Sequence, residues 1–151
     1  MTRVTLDVNA LVEGTISSLG PAAAILTAWE SGQLALILSE EIILEYEEVL
    51  ARPRIRQRYP WLTPELVRRA VLGLRRNAII VSLPNVPSMI PEDPDDDVIV
   101  ACAMAGGADY IVSRDHHLLR HAKTIPVPIL RPEDFMATLR QPAPREGETG
   151  G

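Results

Sequence analysis

Apolar and polar positions along this chain switch repeatedly between the short apolar runs of buried strands and the 3.6-residue spacing of helices. "RVTLD" (residues 3–7) reads as a first strand. "GPAAAILTAWESG" (20–32) reads as a helix, with Pro21 in its first turn and Gly32 as its stop. "QLALIL" (33–38) is a buried strand. Ser39 then caps "EEIILEYEEVL" (40–50), whose first-turn acids suit the helix dipole. Thr63-Pro64 opens the helix "PELVRRAVLGLRR", and "AIIVSL" (78–83) is the next strand. "LPNVPSMIPEDP" (83–94) holds four prolines and is a loop. "DDDVIVACAMAGG" (95–107) is a helix, apolar or small nearly all round and therefore buried. "DYIVS" is a strand, "DHHLLRHA" a short helix, "IPVPIL" a last strand and "RPEDFMATL" a last helix. This alternation predicts an α/β domain with a mainly parallel central sheet over residues 1–140. The Pro-, Gly- and Glu-containing segment 141–151 is expected to be a disordered tail.

In such sheets ligands gather beyond the carboxyl ends of the strands. Asp7 ends the first strand and Asp115 follows "YIVSR", so the pattern puts both acids at one edge. The helix 40–50 adds more. Ile42, Ile43, Tyr46, Val49 and Leu50 form one core-facing stripe. Glu45 and Glu47 border it on opposite sides, and periodicity alone does not choose between them. At the start of the buried helix stand Asp93, Asp95, Asp96 and Asp97. A helix needs one cap, and adjacent carboxylates repel unless a cation compensates. Carboxylates without paired Cys or His point to a hard cation, Mg²⁺ or Mn²⁺. His117 and His121 have an i, i+4 spacing that suits zinc, but no zincin-type Glu accompanies them, and a surface helix is the simpler reading. Ser113, beside Asp115, is placed to orient a water or a phosphate.

Charge changes the picture further. The net charge is −5, yet residues 52–76 carry Arg52, Arg54, Arg56, Arg58, Arg68, Arg69, Arg75 and Arg76 against Glu65 alone. That segment holds +7 and leaves −12 for the remainder. A basic stripe beside an acidic remainder is the footprint of a chain that grips a polyanion in one place and gathers carboxylates in another. Cys102 is the single cysteine, so no intrachain disulfide or CxxC metal pattern exists. There is no apolar run long enough to span a membrane and no signal-peptide pattern, which makes a cytoplasmic protein the expectation.

Taken together, these segments resemble the PIN-domain ribonucleases, in particular the bacterial and archaeal toxins of toxin–antitoxin systems. "TLDVNALVEG" is similar to the family's opening strand with its Asp and the Asn two residues on. "LSEEIILEYEEVLARPRI" resembles its Ser…Glu…Leu-x-Arg-Pro segment. "DPDDDVIVACAMAGGADYIVSRDHHLL" resembles its Asp-Pro-x-Asp helix, following strand and last acid. The resemblance covers about the first 135 residues. It selects Glu45 over Glu47, and Asp96 from the acid triplet, with Asp97 standing where this branch often has Asn. It departs in reading Ser-Arg-Asp where Thr-x-Asp is commoner; the hydroxyl is kept. It implies a three-layer α/β/α PIN-like fold and a metal-dependent endoribonuclease cutting single-stranded RNA. Asp7, Glu45, Asp96 and Asp115 are its implied Mg²⁺ or Mn²⁺ ligands and catalytic acids. Asn9, Ser113 and Asp97 support them, with Asn9 holding the local turn or a water. The eight arginines hold phosphates. An antitoxin partner and a homodimer are implied as well. With few aromatics, base stacking is expected to contribute little.

Three rivals share parts of this pattern. A haloacid-dehalogenase phosphatase needs Asp-x-Asp after the first strand, and this chain has Asp7-Val8-Asn9. A receiver domain needs a Lys near its acids, and the only lysine is Lys123, poorly placed. A binding module with structural acids would be indifferent to metal.

Overall fold

The computed structural model describes residues 1–83 and 94–140, with the side chains of residues 94–96 outside the description. The expected Pro-rich loop lies almost wholly outside the described residues, as does the expected tail.

The chain runs β1 (Thr2–Leu6), α1 (Val8–Ile16), α2 (Pro21–Glu30), β2 (Leu34–Ser39), α3 (Glu40–Leu50), α4 (Pro53–Arg58), α5 (Pro64–Asn77) and β3 (Ile79–Val81). It continues with α6 (Pro94–Ala105), β4 (Tyr110–Val112), α7 (His116–Arg120), β5 (Ile129–Leu130) and α8 (Pro132–Arg140). All strand pairs are parallel, in the order β3-β2-β1-β4-β5. The chain steps from β1 to β2 to β3 in one direction, then returns past β1 to β4. With right-handed crossovers this reversal puts α6 on the opposite face of the sheet from α1, α2 and α5. The result is the three-layer α/β/α arrangement that the alternating pattern and the resemblance imply.

The core is the apolar stripe of each strand and helix closed on the sheet. Val4, Leu6, Leu36, Ile37, Leu38, Ile43, Val100, Ile111 and Val112 are wholly or almost wholly buried. In α3 the predicted stripe is buried at Ile42, Ile43, Tyr46 and Leu50 and half-buried at Val49. Ser39 and Thr63 cap their helices as expected, each accepting a bond from a backbone N–H three residues on. Cys102 is fully buried, and burial pushes its thiol up to about 12.

Two helices depart from the sequence expectation. Residues 8–16 form α1, where a turn around Asn9 was expected. Asn9 lies exposed inside that helix, and the turn is held by Asp7, whose Oδ1 accepts the Ala10 N–H at 2.8 Å. Residues 53–58 form α4, a short helix with no buried residue, opened by Pro53. The last strand is only two residues long, because Pro126 and Pro128 offer no N–H to a ladder.

Candidate active site

The sheet order creates a switch point. The chain leaves β1 toward one face, through α1, and leaves β4 toward the other, through α7. The crevice between the two exits lies at the carboxyl ends of β1 and β4, where parallel sheets bind ligands. Register decides what meets there. Leu6 pairs with Val112, so the next residues, Asp7 and Ser113, fall side by side. The Asp7 N–H donates to the Val112 carbonyl at 3.1 Å, and the Ser113 N–H to Leu130 at 3.0 Å, which fixes both backbones.

Asp7 is buried and held at both carboxylate oxygens. It is 6% exposed. Its Oδ1 caps α1, and its Oδ2 accepts a short bond from the Ser113 hydroxyl. That hydroxyl in turn accepts the Asp115 N–H at 2.9 Å. The Asp115 carboxylate caps α7 through the His117 N–H, also at 2.9 Å. Asp7, Ser113 and Asp115 thus form one hydrogen-bonded chain across the crevice. Burial is the largest influence on Asp7 and raises its pKa. The Ser113 hydroxyl and Ala10 N–H pull it down in part, and the charges of Asp115 and Glu13 raise it again. No basic side chain is among these influences. Arg114, between Ser113 and Asp115, is engaged elsewhere: it binds Glu13 of α1 and Glu133 of α8, at 3.2 and 2.7 Å.

This bridge was not legible in the sequence. Its partners lie 101 and 19 residues from Arg114. It ties the segment between Ser113 and Asp115 to two helices, and so holds both residues' backbone in place.

The other expected site residues sit on other elements. Glu45 is half-buried on α3 and lines a cleft of about 460 Å³ with Glu41, Glu48 and Arg52 of the same side and Val98 and Ile99 of α6. Glu47, on the opposite border, is close enough for its charge to act on Arg75. The helix start predicted from the acid run is α6, and Asp97 is buried there, 6% exposed. The side chain of Asp96 lies outside the described residues. His116 and His117 stack at 4.2 Å beside Asp115, and the three can present ligand atoms within 4.8 Å of one another. His117 Nδ1 is engaged by Arg120 at 2.7 Å. The i, i+4 pair seen in sequence is broken: α7 ends at Arg120, and His121 is its C-cap.

Within the arginine segment, three side chains are engaged by acids. Arg75 pairs with Glu40, Arg69 with Glu65 and Arg52 with Glu48. Arg54, Arg56, Arg58, Arg68 and Arg76 are exposed.

These carboxylates fit a divalent cation. Asp7 is a buried anion with no basic side chain among the influences on it, and Asp115 adds a second oxygen donor through one serine. An all-oxygen donor set of this kind suits a hard ion.

Residues 3–117 match the family model described as "PIN domain". The chain belongs to the PIN-domain family. In fold, the chain also resembles a chain of a solved complex, VapBC2 from Rickettsia felis bound to a DNA fragment from their promoter. The TM-score is 0.57 at 12% identity, over 86% of this chain and 98% of that one. No curated protein sequence matches this PIN domain. Among its described residues, no single helix is long and apolar enough to cross a membrane.

Proposed function

We propose that this PIN domain is a Mg²⁺- or Mn²⁺-dependent endoribonuclease that hydrolyses phosphodiester bonds of single-stranded RNA in the cytoplasm, as the toxin of a toxin–antitoxin pair. The observation that carries the proposal is the buried Asp7 carboxylate, joined through Ser113 to Asp115 in the strand-end crevice with no basic side chain among the influences on it. Asp7, Asp96 and Asp115, with Glu45, are the residues proposed to hold the metal. A divalent ion there would supply charge compensation for the acids, polarisation of a phosphoryl oxygen and a more acidic bound water.

The chain's own groups do the rest. The Ala10 N–H and Ser113 hydroxyl fix the Asp7 carboxylate in one orientation, so little reorganisation accompanies binding. Asn9, exposed beside Asp7, and Asp97, buried beside Asp96, are proposed to support the same acids. Glu45, which lines an open cleft, is proposed to orient the attacking water or accept its proton. Arg52, on that cleft, and the exposed arginines of α4 and α5 hold phosphates away from the scissile one. The VapBC2 complex, as a fold relative, supports an antitoxin partner. A homodimer belongs to the same proposal.

The test is cleavage of a single-stranded RNA by the full chain. Wild type should cut with Mg²⁺ or Mn²⁺ and stop cutting with EDTA. Asp7→Asn should lose at least about a hundredfold in rate, the scale on which one preorganised electrostatic group acts, with unchanged circular dichroism. An Asp7→Asn protein cutting at the wild-type rate would refute the proposal.

A further inference from the structure

The chain has few aromatic residues, but two of them stand together on the surface within the arginine segment. Trp61 is 51% exposed, and Tyr59 is half-buried beside it. Their ring centroids lie 6.5 Å apart at 73°, an edge-to-face contact that leaves much of the indole open. The Arg58 guanidinium lies 5.8 Å from the Tyr59 ring centroid, and its Nε donates to the Tyr59 hydroxyl at 3.2 Å. The stretch 52–62, "RPRIRQRYPWL", holds four arginines and no acid. Among the described residues, the one ion pair these four make is Arg52 with Glu48, long at 3.8 Å and highly exposed.

The cluster is held firmly. The Tyr59 N–H closes α4 on the Ile55 carbonyl at 2.8 Å. The Leu62 N–H returns to Tyr59 at 2.9 Å and the Thr63 N–H to Trp61 at 3.0 Å, two tight turns in succession. Leu62 is buried in the core and anchors the loop between the rings and the Thr63 cap of α5. An exposed Trp on such a support costs solvation and is not needed for packing. The same segment begins at Arg52, which lines the Glu45 cleft.

We infer that Tyr59, Trp61 and Arg58 form a stacking platform for an unpaired RNA base, on a phosphate track running from the Glu45 cleft through Arg52 and α4. The inference rests on the nuclease proposal and adds to it a subsite outside the carboxylate crevice. Single-stranded RNA is the occupant because it presents both things the surface offers partners for. Its phosphates meet four arginines, and its bases offer a π-face of any sequence to the indole. Duplex RNA hides its bases and fits only the arginines.

The experiment measures binding, so that cleavage is a separate readout. Full-length Asp7→Asn protein is titrated into a short, end-labelled single-stranded RNA at fixed salt, with Trp61 as wild type, Ala, Leu or Phe. Trp61→Ala and Trp61→Leu should weaken binding about 5- to 150-fold, the range of one base–aromatic stack, and Trp61→Phe should restore most of it. An abasic strand should bind the Trp61 protein as weakly as Trp61→Ala, with no further loss in the variant. Melting temperatures of the four proteins should agree, since Trp61 is exposed.

Equal affinity of Trp61 and Trp61→Ala for the base-containing strand overturns the platform, and so does Trp61→Leu matching wild type. Failure of the labelled strand to bind at all, or binding of only an acidic protein segment at Trp61, overturns it too. The nuclease proposal is judged apart, on cleavage by protein with Asp7 intact. Trp61-dependent binding without any cleavage would leave the platform standing and remove the nuclease.

Discussion

At the scale of single residues, Asp7 carries two jobs that pull against each other. As an N-cap it is worth about 1 kcal/mol to α1. As a buried anion it costs stability, because folding removes it from water. Its raised pKa states the balance. An acid whose pKa is higher folded than unfolded is still protonated in the native chain at pH values where the unfolded chain has lost the proton. Stability from this group is therefore lowest at neutral pH. It rises as pH falls through the folded value, and is complete below the ordinary value near 4. Metal-free protein should thus gain stability in denaturant titrations as pH falls from about 7.5 towards the ordinary value near 4. Asp7→Asn should lack that part of the slope, and saturating Mg²⁺ should flatten it in the wild type. Identical slopes with EDTA and with Mg²⁺ would mean that Asp7 is not part of a cation site. The place of Asp7 at a strand end was legible in the sequence. Its double role was not, because the cap becomes visible only once residues 8–16 are known to be helical. Those residues include Gly14, Thr15 and Ile16, poor helix formers that masked α1.

At the scale of elements, α3 shows how far periodicity goes. Its stripe identified the buried face and placed Glu45 and Glu47 on its two borders. Only the neighbours distinguish them: α6 across a cleft on the Glu45 side, Arg75 of α5 on the Glu47 side. Glu45→Gln is expected to abolish cleavage and Glu47→Gln to leave it within about threefold of wild type. The reverse result would place the reaction on the other face of α3. The end of α6 makes a second prediction. A methyl group added at Gly106 would meet Ile37 Cγ2 at 2.2 Å, and Ile37 is fully buried in β2. Gly106→Ala should therefore destabilise the fold by about 1–3 kcal/mol, the cost of overpacking, read as a lower denaturation midpoint; an unchanged midpoint would show that the α6–β2 contact can yield. α4 marks where sequence reading stops. Its single apolar residue, Ile55, gives no period, so its arginines read as a charge run without a shape.

At the scale of the whole molecule, Asp7 and Asp115 meet only because the sheet order reverses at β1 and brings β4 beside it. The alternation of strands and helices made a parallel sheet legible. The register of Leu6 against Val112 was not, since nothing local encodes a pairing over more than a hundred residues. That separation also orders events in time. Asp7 emerges early during synthesis and Asp115 follows 108 positions later, roughly 5–20 s at 5–20 residues per second. Until then β1 can pair with β2 but has no β4 on its other side, and Ser113 and Asp115 are not yet beside Asp7. For the ribonuclease proposed above, a half-made chain would therefore lack its paired acids and leave the messenger from which it is read uncut.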